Sequence, residues 1–111
     1  MTGRAWDDAE AEHLTQVTAL AERLVTAEDP YEAGLELWGH AGRTAGELAV
    51  GMQLIWGFLT DRVELKPEEG QQARAEMRRA AREWLALDLA DRAAVEGYLD
   101  YWLHDVCGYD R

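Results

Sequence analysis

The 111-residue chain has no serine and no asparagine, and it holds one cysteine, one lysine and two prolines. A serine hydrolase, a Walker-type phosphate loop and asparagine-based turns are therefore excluded. Residues that favour strands are also scarce: Val, Ile and Thr together number 13, against 18 Ala and 14 Leu. That balance predicts helix rather than sheet. The lone Cys107 cannot form an intrachain disulfide and fits a reducing compartment. The first eight residues lack the apolar core of a signal peptide, so a cytoplasmic location is expected. Long apolar runs are missing too. The longest, Leu48 to Leu59, covers 12 residues with only Gln53 polar. A bilayer span needs about 20, so the run predicts a buried helix and no membrane segment. Bases are few, at 11 against 22 acids, for a formal charge of −11. Nucleic acid and anionic membranes need a basic footprint and are not expected partners, whereas a basic protein is. The plainer reading of the acidity is solubility.

What is present is helical patterning. Asp7 and Glu10 form a capping box at the start of a first helix. Its buried stripe is Leu14, Val17, Leu20, Ala21, Leu24 and Val25, and it ends near Glu28. Asp29-Pro30-Tyr31-Glu32 reads as a second capping box, so the first two helices should form an antiparallel pair. From Tyr31 a seam at 4,3 spacing runs through Leu35, Trp38, Gly42, Ala45, Ala49, Met52, Trp56 and Leu59 to Val63. Six glycines interrupt this stretch, and Thr44 with Glu47 resembles a third capping box. The unbroken seam argues for one helix; the glycines and the cap argue for a kink or break near Gly42, which is the expectation adopted. Around Leu48–Leu59 the helix is apolar on nearly every face and must be surrounded. A third helix begins at Pro67 and carries Ala73, Met77, Ala80, Ala81, Trp84, Leu85 and Leu87 inward. Asp88 to Asp91 restarts the chain as a fourth, with Val95, Tyr98, Leu99, Trp102, Leu103 and Val106 buried and Gly108 as terminator. The predicted fold is one all-α domain over residues 1–111. It is a compact, mostly antiparallel four-helix bundle with the Gly-rich second helix at its centre.

Candidate chemistry is thin. Glu10 and His13, Glu36 and His40, and Asp100 and His104 are carboxylate–imidazole pairs at helical spacing. Solvated surface pairs are the simpler account, with His13 instead covering core beside Val17. A dinuclear carboxylate site needs two Glu-x-x-His motifs, and only Glu10–His13 has that spacing, so no metal or other cofactor is expected. His104 and Cys107 lie three apart, but a small buried hydrophobe is the better reading of the cysteine. No catalytic residue is assigned. Trp38, Trp56, Trp84 and Trp102 fall on apolar seams and read as core, whereas Trp6 precedes the first cap as a staple or an exposed anchor. Arg74, Arg78, Arg79 and Arg82 form the only basic ridge, read as a solvated ion-pair face with Glu76 and Glu83. Arg92, Glu96, Asp100 and His104 form an outward ridge that is largely acidic.

These features predict a small, acidic, non-enzymatic interaction module of the adaptor, inhibitor or immunity kind, docking on a basic surface. Asp7, Asp8, Glu12, Glu96 and Asp100 would carry the charge, with Trp6 or Tyr109 as the anchor. Two alternatives stand beside it. One is a homo-oligomer, such as a homodimer joined through the second face of Leu48–Leu59. The other is a ligand-binding or catalytic bundle with an aromatic pocket and a buried carboxylate–histidine pair.

Overall fold

A computed structural model describes residues 6–110. Among them there are five α-helices and no strand: α1 (Asp8–Thr26), α2 (Tyr31–Gly42), α3 (Glu47–Leu65), α4 (Gly70–Leu85) and α5 (Arg92–Asp100). A 3₁₀ turn, Pro67–Glu69, precedes α4, and a π-helical turn, Tyr101–Val106, extends α5. The expected count of four becomes five because the long second element divides.

The division has a local cause. Gly46 sits at φ 113°, ψ 162°, a backbone region closed to side chains, so the helix cannot run through it. Thr44 does not cap α3. Its hydroxyl donates to the His40 carbonyl at 2.8 Å, closing the end of α2 instead. The box expected at Asp29 is likewise replaced: the Asp29 carboxylate accepts the Tyr31 amide at 3.0 Å and the Arg74 guanidinium at 3.0 Å. The first box forms as read, with Asp7 accepting from the Glu10 amide at 2.7 Å and Glu10 accepting from the Asp7 amide at 3.0 Å.

The continuous seam through Gly42 is an accident of spacing. Ala45 is exposed, and the residues that α2 buries are Ala33, Gly34, Leu37 and Ala41. In α3 the seam holds, with Ala49, Met52, Trp56 and Leu59 buried together with Ile55. Gly57 shows where glycine permits close approach: a Cβ there would meet the Trp38 ring at 3.2–3.3 Å, tighter than ordinary contact, whereas one on Gly34 would meet Met77, Thr60 and Trp56 at an ordinary 3.4–3.5 Å.

Cross-helix contacts give the directions. His13 meets His40 and Arg23 meets Glu36, so α1 and α2 are antiparallel. Trp38 lies against Gly57 and Gln53 against Gly42, which makes α2 and α3 antiparallel as well. Trp84 donates to Thr18 and Arg78 to the carbonyls of Ala27 and Glu28, so α4 returns along α1. The fifth element packs on this set: Tyr98 donates to the Ala80 carbonyl at 2.9 Å, and Leu99 and Leu103 lie against Gly51. The core is continuous and contains Trp56, Trp84 and Trp102, each at most 1% exposed. Burying one such ring removes 150–250 Å² from water, worth on the order of 3 kcal/mol or more. Among the described residues no helix is long and apolar enough to cross a membrane.

Candidate functional site: an acidic groove between α1, α3 and α5

The outward ridge of α5 faces two other elements. Helical spacing brings Arg92, Glu96, Asp100 and His104 onto one side, and opposite them stand Glu10 from the first turns of α1 and Glu47 from the start of α3. The space between is a groove of about 480 Å³ with Trp6, Leu48, Leu99 and Leu103 contributing apolar surface. Four carboxylates and one guanidinium therefore line one groove. Arg92 bridges the walls, with Nε 3.2 Å from Glu96 and a terminal nitrogen 3.7 Å from Glu10, and its guanidinium lies 4.6 Å over the Trp6 ring. His104 stands 3.7 Å from Asp100, and its Nδ1–H donates to the Tyr109 carbonyl at 2.7 Å.

The residues proposed from sequence are dispersed in part. Trp6, Glu96 and Asp100 come together in the groove. Trp6 is not an exposed anchor: it is 8% exposed, and its indole N–H donates to the Leu89 carbonyl at 2.6 Å. Asp7 is occupied as the cap of α1, and Glu12 accepts from Gln16 at 3.2 Å on an exposed face. Asp8 is exposed in the first turn of α1. Tyr109 lies elsewhere, edge-on to Phe58 with ring centroids 6.5 Å apart, in a second groove of about 470 Å³ that also holds Asp61, Arg62 and Leu65. Glu10 and Glu47 were missed as site residues. They sit about 80 and 50 positions from the ridge they face, and no local spacing reports that.

Three of the four arginines of the α4 ridge are engaged internally, and Arg82 is exposed. Arg74 binds Asp29, Arg78 caps the end of α1, and Arg79 bonds Glu83 and Tyr101 while lying 4.4 Å over the Trp102 ring. Glu76, read as a partner of this ridge, instead takes Arg62 at 2.6 Å.

Two carboxylate–histidine pairs do not form. His13 is buried and meets His40, Glu36 is held by Arg23 at 2.7 and 3.0 Å, and Glu10 faces Arg92 and the Asp7 amide. Burial pushes the Cys107 thiol up to about 12, far from the thiolate a nucleophile requires. Among the described residues no three His, Cys, Asp or Glu side chains are gathered to hold a metal ion. Compared with known proteins, the chain matches no family model, no curated protein and no solved structure.

Proposed function

We propose that this protein is a non-enzymatic interaction module that receives a basic segment of a partner protein in the groove between α1, α3 and α5. The observation that carries this reading is the groove's composition: Glu10, Glu47, Glu96 and Asp100 line it with Arg92 as its one guanidinium, beside Leu48, Leu99 and Leu103. A cationic side chain gains from that field while its stem covers apolar surface. Complementary charge mainly accelerates encounter, so the effect belongs in the association rate. The free thiol of Cys107 supports a role in reducing surroundings.

A second reading has its own support. Val50 and Leu54 on α3 are 53% and 40% exposed, and Trp38 beside them is 43% exposed, an apolar strip suited to a second copy of the chain.

The test begins with affinity capture from the native host and continues with the captured partner in stopped flow at low salt. Glu96→Lys combined with Asp100→Lys should slow association by tenfold or more, whereas Glu68→Lys outside the groove should change it far less. Equal rates for the groove variant and the unaltered protein would sink the docking site. Strictly concentration-dependent dimerisation in light scattering, abolished by Leu54→Glu, would favour the second reading.

A further inference from the structure

His13 projects from α1 and His40 from α2, and their rings are joined by an Nδ1···Nε2 contact of 2.9 Å. The ring planes are 18° from parallel with centroids 4.9 Å apart, so the rings meet through their edges rather than face to face. His13 is only 2% exposed, and its Nε2 has no hydrogen-bond partner. A neutral imidazole carries one N–H and one lone pair. The pair is therefore best satisfied when His13 Nδ1–H donates to His40 Nε2, which leaves a bare lone pair at the buried Nε2. The opposite arrangement would strand an N–H there, at greater cost.

Adding a proton breaks this arrangement wherever it lands. On His13 it creates a buried N–H without an acceptor. On His40 Nε2 it sets two N–H groups against each other unless His13 moves its own proton to the same buried nitrogen. We propose that the His13–His40 pair is a proton-sensitive latch, which ties α1 to α2 while both rings are neutral and lets go as the surroundings acidify. The charged groups acting on the pair are Glu12 of α1, which favours a charged His40, and Arg43 of α2, which opposes it. Glu36, one turn before His40, is tied to Arg23, and α4 brings Arg74 and Arg78 only to the far end of α1, at Asp29 and Ala27–Glu28. Burial first and His40 second hold His13 down to about 4 from an ordinary value of 6.5, and burial with Arg43 also lowers His40.

The sign follows. The folded rings resist a proton that the unfolded rings accept, so the contribution is whole above pH 6.5 and is lost as pH falls towards 4. The latch sits one turn before the α2–α3 break, since Thr44 closes α2 on the His40 carbonyl. The second polar tie between α1 and α2, Arg23 with Glu36, is exposed, so near neutrality the latch is the tie that acid removes.

The experiment uses the full chain carrying His104→Gln, so that only the pair titrates among the imidazoles. Unfolding is measured in urea between pH 7.5 and 5, with and without His13→Phe and His40→Gln. Each excluded proton makes the folding constant fall by about tenfold per pH unit below the unfolded-state value. The parent should therefore lose roughly fifteenfold or more between pH 6.5 and 5, and the double variant should stay nearly flat. Parallel pH slopes would overturn the latch. NMR of the ring nitrogens on the unaltered protein decides independently of whether the variants fold. A single neutral Nδ1–H form of His13 down to pH 5 is expected, and ordinary titration near 6.5 would refute it.

Discussion

Trp6 is held by three contacts of different kinds: burial in the core, an N–H···O bond to Leu89 and the Arg92 guanidinium over its face. They tie the start of the chain to the α4–α5 connection, 83 residues away. Removing the ring leaves a cavity and an unpartnered Leu89 carbonyl together. Trp6→Ala should therefore cost about 3–5 kcal/mol in urea unfolding. Trp38, at 43% exposure and lying against Gly57, should cost only about 1–2 kcal/mol when truncated. The order matters, because apolar spacing places Trp38 in the core and leaves Trp6 outside it. Spacing reports only which residues share a face of one helix. It is silent about a residue before the first cap, which gains its burial from a segment more than 80 positions distant. If Trp38→Ala proved the costlier change, the packing of α2 on α3 described above would be wrong.

At the scale of elements, two glycines test what breaks and what permits a helix. Neither Gly46 nor Gly97 has any atom within 4 Å of where a Cβ would stand. Their backbones differ: Gly46 is at φ 113°, whereas Gly97 lies inside α5 in ordinary helical conformation. Gly46→Ala should lose about 1–3 kcal/mol to strain alone. Gly97→Ala should gain about 0.5–1 kcal/mol, chiefly by restricting the unfolded chain. Thermal unfolding of the two variants should therefore move in opposite directions, and a shared sign would contradict the assigned break. Much of this level was legible in the sequence. The Asp7 box, the start of the fifth helix at Asp91, the Gly108 stop at φ 82° and most of the buried faces of α1, α3 and α4 follow from local chemistry, although Leu85, expected inward, is exposed. What was not legible came from competition between partners. Thr44 chose the His40 carbonyl, Asp29 chose Arg74 as well as its own turn, and His13 chose a second histidine over the carboxylate one turn away. The π turn after Tyr101, closed by the Cys107 amide on the Trp102 carbonyl at 2.9 Å, leaves no mark on apolar spacing.

For the whole molecule, the formal charge of −11 is spread over a body of 52 × 30 × 25 Å. Ion pairs offset it only locally. Arg23–Glu36 and Arg92–Glu96 are exposed, and solvent-screened pairs of that kind add little to stability. The remaining acids repel over longer distances, and those distances decide the response to salt. The screening length is about 30 Å at 0.01 M and about 8 Å at 0.15 M, so added salt removes repulsion across the molecule while leaving contacts of 3–4 Å largely intact. Raising sodium chloride over that range at pH 7.5, above the window in which the histidine pair titrates, should therefore raise the melting temperature by a few degrees. A fall would mean that short ion pairs outweigh the excess of carboxylates. The expected rise also bears on the groove. Glu10, Glu47, Glu96 and Asp100 line one groove with a single arginine in a molecule already short of positive charge, so the groove field should carry a cost to stability at low salt. That cost is easier to understand if a cationic partner relieves it, and saturating the groove with that partner should abolish most of the salt-induced rise.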